Sequence, residues 1–160
     1  GFWAKFMKEL NFNVEVVEIS DSRINHLNKN NIKNYKIINE TNKKYDIIFS
    51  NQALEHISYP LQTIRELYDK LVDNGVMFHK FPSSFLFKRK LLRNYVPKKD
   101  CAHPLEHINI FCKKSFIQML KDTNLEHIEF KSKFNFSVEN FLRDLKNLIY
   151  FDSVLIKKVD

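Results

Sequence analysis

Two polar clusters in this chain directly follow short apolar runs, where side chains can reach a ligand. Glu18 closes the β-branched run Val14-Glu15-Val16-Val17-Glu18-Ile19. A carboxylate there can accept hydrogen bonds from both hydroxyls of a ribose, or it can cap the helix that follows. The second cluster is Ser50-Asn51-Gln52-Ala53-Leu54-Glu55-His56, directly after Tyr45-Asp46-Ile47-Ile48-Phe49. Asn51 and Gln52 bring amide donors and acceptors, and His56 brings an imidazole. The alternatives are structural: Asn51 can cap a turn, while Glu55 and His56 can open the next helix. A third group, Cys101, His103, His107 and Cys112, has the residue types of a metal site. Its spacings (C-x-H, x3-H, x4-C) match no standard zinc pattern, so no metal is expected from it.

The elements that must position these residues alternate along the chain. Phe2, Trp3, Phe6, Met7 and Leu10 share one face of an opening helix, which Asn11 to Asn13 end. Val14 to Ile19 reads as a buried strand. Ser20-Asp21-Ser22 offers N-cap chemistry to a helix carrying Ile24 and Leu27. A second strand is expected over 35–38, a third over 45–50, and a helix from about Leu61 to Leu71. Asp73-Asn74-Gly75 turns the chain into a fourth strand at 76–80. After Pro82 the rhythm stops, and 82–111 reads as a basic, aromatic insertion or lid without a clear period. A helix near Lys114 to Asp122, a strand at 125–130, a Ser137-capped helix near Val138 to Ile149 and a closing strand at 153–159 complete the order. Strands alternating with amphipathic helices predict a parallel sheet with helices on both faces, in one domain spanning 1–160. In such sheets ligands bind beyond the carboxyl ends of the strands, where Glu18 and the 50–56 cluster stand.

The bulk properties exclude several classes. A chain of 160 residues that is 44% hydrophobic and 28% charged is globular rather than disordered. No apolar run approaches the roughly 20 residues of a membrane span. Two cysteines make a disulfide framework an unsuitable reading, and a reducing, cytoplasmic setting is expected. The net charge of +7 could attract nucleic acid or an anionic membrane. The chain is also rich in Lys, Asn, Ile and Phe, the residues that AT-rich codons favour, so nucleic acid is not the expected partner.

Taken in order, these segments resemble class I S-adenosylmethionine-dependent methyltransferases. Val16-Val17-Glu18-Ile19-Ser20 is similar to their acidic second-strand motif, and 45–57 to their "FDxVxxxxxLEH" motif. Leu71-Val72-Asp73-Asn74-Gly75-Val76 resembles the "LKPGG" turn. Glu106-His107-Ile108-Asn109-Ile110-Phe111, with Lys114-Ser115-Phe116 and Leu120, resembles the "EHxxxFxxxSLxxLLxxAGF" segment of the small-molecule branch. The resemblance implies a Rossmann-like, doubly wound, mostly parallel α/β sheet in the order 3-2-1-4-5-7-6, its last strand antiparallel. It implies S-adenosyl-L-methionine as cofactor. The ribose would lie at Glu18 and Ile19, the adenine edge at Asn39 and Glu40, and the methionine end at Asn51 and Gln52. The family's first strand and GxGxG loop have no counterpart, and Gly1 matches the last glycine of that loop. The expectation is therefore a fragment, lacking a central strand whose neighbours would otherwise keep unpaired backbone groups. Cys112 stands at the usual Ser/Thr cap position, and Asn74-Gly75 where Gly-Gly is usual.

Methyl transfer from a sulfonium is an in-line displacement whose leaving group the cofactor already activates, so the protein mainly positions the acceptor. A base helps when the acceptor is a hydroxyl. The candidates are His56, His103 and His107; His107 can alternatively just anchor its loop. Phe85-Leu86-Phe87-Lys88-Arg89-Lys90-Leu91-Leu92-Arg93, continued by Lys98-Lys99, could touch an anionic membrane or simply lid the pocket. Its place resembles the substrate-covering region of ubiquinone-biosynthesis O-methyltransferases. A small-molecule acceptor is expected: a quinone precursor, a lipid-linked group or a sugar. Two rivals remain at this level, a nicotinamide-dependent enzyme and a non-catalytic module binding membrane or nucleic acid through its basic insertion. The oligomeric state is not legible in the sequence.

Overall fold

The computed structural model describes residues 1–84, 87–93, 95–96, 101–103, 105–121, 123–128 and 151–158. The expected helix at 138–149 lies outside these residues, as do Phe85, Leu86, Lys98, Lys99 and the side chains of Lys88 and Arg89. The chain divides into two compact units, 1–43 and 44–160.

In the first unit, helix α1 (Phe2–Glu9) and helix α2 (Asp21–Lys29) alternate with strands β1 (Glu15–Val17) and β2 (Lys33–Tyr35). Both helices end on asparagine in the left-handed region, Asn11 (φ 65°) and Asn31 (φ 51°). After α1, the N–H of Phe12 reaches the Met7 carbonyl (3.1 Å) and that of Asn11 the Lys8 carbonyl (2.9 Å). After α2, the N–H of Ile32 bonds Leu27 and that of Asn31 bonds Asn28, each at 3.0 Å. These are Schellman closures, with Asn in the place glycine usually takes. The chain has only two glycines, and these two helix ends fall to the residue type that tolerates the left-handed region next best.

β1 and β2 pair in parallel, Glu15 opposite Lys33 and Val17 opposite Tyr35. Two expectations are corrected here. The first strand is not buried: Val17 is 48% exposed, because among the described residues β1 pairs only with β2. The second strand lies at 33–35 rather than 35–38, since Ile38–Glu40 forms a 3-10 turn closed by the Lys36 N–H on the Glu40 carboxylate (3.0 Å). Ser20 is the N-cap residue of α2 but makes no side-chain cap bond; its hydroxyl turns to that of Ser22.

The second unit is built on a four-stranded sheet ordered β3-β4-β6-β5: β3 (Tyr45–Asn51), β4 (Leu71–Pro82), β6 (Phe151–Lys158) and β5 (Leu125–Ile128). β3 and β4 are parallel, with Ile47 opposite Val76 and Asn51 opposite Lys80. β6 is antiparallel to both its neighbours. Helix α3 (Pro60–Asp69) joins β3 to β4, its Pro60 preset for the first helical turn. A short helix α4 (Phe87–Leu91) stands inside the segment expected to lack a period, and α5 (Lys113–Met119) leads towards β5. The core gathers Leu54, Ile64, Leu71, Met77, Phe81, Phe111, Phe116, Leu120, Val154 and Ile156. Phe81, Phe111 and Phe116 form its aromatic centre, with ring centroids 5.0–5.5 Å apart.

Candidate active site

Glu18 follows β1, where its backbone N–H bonds the Tyr35 carbonyl at 2.9 Å. Its Oε1 accepts the N–H groups of Ile19 and Ser20, both at 3.0 Å, and its Oε2 lies 3.4 Å from the Arg23 guanidinium. Burial raises the carboxyl's pKa, but the Ser20 N–H, then Arg23, outweigh that and hold it below the usual carboxylate range. These backbone bonds close the turn into α2 without reaching an N–H of the helix itself, so Glu18 does not make the cap weighed in the sequence. An ionised carboxylate has about four acceptor positions, so Oε2 retains capacity for a hydroxyl donor. Ile19 beside it is exposed, and so are Asn39 and Glu40. Glu40 already spends one oxygen on closing its turn. Gly1 caps α1, and a Cβ there would come within 2.5 Å of the His26 ring. All these residues belong to the first unit.

In the second unit, Asn51 is the last residue of β3, and Gln52 takes the left-handed region with φ 51°. Gln52 has no local reason for that conformation; its N–H is drawn onto the Lys80 carbonyl at 2.7 Å. Such backbone strain collects where a loop must turn sharply off a sheet, and frequently where a ligand binds. Both side chains are exposed.

Leu54–His56 then forms a 3-10 turn. The carbonyl of Glu55 accepts the N–H groups of Ile108 (2.8 Å) and Asn109 (3.0 Å), and the Asn109 amide donates to the Ile57 carbonyl at 2.6 Å. These bonds stitch the far end of the insertion to the end of β3. They bring His56 beside His107, ring centroids 4.9 Å apart, and His103 lies 5.8 Å from His107. The His56 Nδ1 faces the Glu106 carbonyl at 2.7 Å and the His107 Nδ1 faces the Cys101 carbonyl at 3.1 Å. A carbonyl only accepts, so each Nδ1 is the donor of its contact, and in the neutral ring Nε2 is the atom with the lone pair.

Glu55, which the sequence reading left as a helix-opening residue, is 1% exposed. Neither carboxylate oxygen meets a hydrogen-bond donor among the described residues. Burial raises its pKa above the usual carboxylate value. Nothing local in the sequence separates this glutamate from a surface one. Cys112 caps α5 as expected, its Sγ accepting the Ser115 N–H at 3.4 Å.

A family model described as a methyltransferase domain matches residues 1–129. No curated protein matches the chain. Among solved structures, a Listeria monocytogenes protein assigned as an S-adenosylmethionine-dependent methyltransferase superposes with a TM-score of 0.64 at 11% identity, covering 92% of this chain and 80% of that one. The N-methyltransferase NodS of Bradyrhizobium japonicum, in complex with S-adenosyl-L-homocysteine, gives 0.57 at 11% identity, covering 91% and 66%. The plantazolicin methyltransferase BpumL, in complex with a substrate analogue and S-adenosylhomocysteine, gives 0.62 at 15%, covering 92% and 67%. Likeness at this identity establishes the fold: Rossmann-like, mostly parallel, with an antiparallel strand inserted near one edge.

Proposed function

The chain belongs to the methyltransferase-domain family, and on that premise we propose that it moves a methyl group from S-adenosylmethionine to a small-molecule acceptor. When bound, the cofactor supplies an electrophilic methyl on a sulfonium, with a neutral thioether as leaving group. The protein's share is to hold donor and acceptor in line. Glu18 takes the ribose hydroxyls, Ile19 lies along the adenine, with Asn39 and Glu40 at its edge, and Asn51 and Gln52 meet the methionine end. The observation that carries this reading is the family match across residues 1–129, which includes every one of these positions.

The acceptor is read as a hydroxyl compound with apolar character, such as a quinone precursor, a lipid-linked group or a sugar. Its support is local. The lone pairs on the His56 and His107 Nε2 atoms suit proton removal from a hydroxyl. Leu91, Leu92 and Val96 are exposed beside α4, an apolar surface available to an acceptor or to peripheral contact with an anionic membrane.

A calorimetric titration with S-adenosylhomocysteine, with NAD as control, tests the site. Saturable binding of the first alone is expected, and Glu18→Ala should weaken it about tenfold, the loss of roughly one charge-assisted hydrogen bond. Unchanged affinity in that variant would remove Glu18 from the site.

A further inference from the structure

Glu55, His56 and His107 each offer one ligand atom, and these atoms all lie within 4.8 Å of one another. We propose that they form a binding site for a divalent transition-metal ion of the zinc class, with one coordination position left open.

Three observations converge on it. Both imidazoles are fixed by an Nδ1 bond to a backbone carbonyl, at 2.7 Å and 3.1 Å, which orients the rings and leaves Nε2 as the donor atom. That is the support metal-binding histidines usually receive. The Glu55 carboxylate is 1% exposed with no hydrogen-bond donor on either oxygen among the described residues. A buried carboxylate without a partner costs several kcal/mol, and a dication beside it removes that cost. The donor set, two imidazole nitrogens and one carboxylate oxygen, suits zinc-like ions and not calcium or magnesium, which take oxygen ligands. Ligand atoms around a tetrahedral zinc stand about 3.3 Å apart, so the present spread of up to 4.8 Å closes by small side-chain adjustments.

Three protein ligands make an open site rather than a closed structural one. The open position would take an oxygen of the acceptor and favour its deprotonation, in place of a base. That use rests on the methyl-transfer reading; metal binding itself does not. The set differs from the Cys101, His103, His107 and Cys112 combination that the sequence suggested and that no metal was expected to fill. Only His107 is shared.

The test is a titration of the metal-free 160-residue chain with Zn2+, and with Co2+ read through its visible absorption. The expected result is one ion per chain, unaffected by a large excess of Mg2+. His56→Gln and His107→Gln should each weaken binding at least tenfold, while His103→Gln and Cys112→Ser leave it unchanged. Zn2+ should also raise the melting temperature of the parent chain but not of Glu55→Gln. Absence of saturable binding, or binding that survives in the His56→Gln/His107→Gln double variant, would overturn the proposal. S-adenosylhomocysteine affinity, measured on the same preparations, reports separately on the methyl-transfer reading.

Discussion

At the first turn of α5, Cys112 stands where a serine or threonine is the usual cap. Its Sγ accepts the Ser115 N–H while the Ser115 hydroxyl accepts the Cys112 N–H at 3.0 Å, a reciprocal capping box. The Ser115 hydroxyl contact, more than burial opposes it, holds the thiol below its usual pKa. Cys112→Ser should therefore keep the cap and change stability by no more than about 0.5 kcal/mol, whereas Cys112→Ala should cost about 1 kcal/mol. Urea melts of the two variants decide this; equal stabilities would show an idle cap. Glu15 is a second single-residue anchor, its carboxylate nearly buried against Lys43, Lys33 and the Tyr35 hydroxyl.

The pairing of β3 with β4 depends on a break in register between Tyr45 and Ile47, where Leu71 and then Val76 stand opposite. The excess residues loop out at Asp73-Asn74-Gly75, so the turn expected ahead of the strand is a bulge within it. Asn74 takes the left-handed backbone (φ 61°) and Gly75 the close approach. A Cβ on Gly75 would come within 2.8 Å of the Val72 carbonyl oxygen and 3.3 Å of that of Asp46. Both obstacles are backbone and cannot swing away. Gly75→Ala should cost roughly 1–3 kcal/mol through overpacking, read as a lower melting temperature. An unchanged melt would mean that the bulge relaxes freely.

The pH response of the whole fold should carry the mark of His79. It sits in the centre of β4, fully buried, facing the Phe116 ring at 5.5 Å. Neither ring nitrogen has a hydrogen-bond partner among the described residues. Burial lowers its pKa from 6.5 to about 4. The sign follows: above pH 6.5 the ring is neutral folded or unfolded, and stability is full. Between 6.5 and about 4 the unfolded chain takes up a proton that the folded chain refuses, so stability falls as the solution is acidified. At about 1.4 kcal/mol per unit the loss approaches roughly 3 kcal/mol. His79→Leu should flatten the stability profile across that window, measured by denaturant melts at stepped pH. A profile with the same slope would place the acid sensitivity elsewhere.

Local chemistry by itself determined most of the element order. The periodicity of 61–71, the β-branched runs at 14–19 and 45–50, and the cap at Cys112 each act within a few residues, so they are readable without the fold. Their neighbours are not. Val17 reads as a buried strand residue, yet its exposure depends on which strands pair with β1. Ile37 and Ile38 have strand propensity, but Glu40 reaches back to the Lys36 N–H and curls the chain into a 3-10 turn. The strand-end positions of Glu18, Asn51 and Gln52 were legible because each follows an apolar, β-branched run; their part in a cofactor site is the proposal made above. Glu55 was not legible, since its burial is a property of the fold and the Ile108 and Asn109 backbone bonded to its carbonyl arrives from the far end of the insertion. The same bonds bring His107 onto His56 across the whole insertion. No spacing in the sequence records that meeting, because it is made by long-range backbone hydrogen bonds whose register only the folded chain fixes.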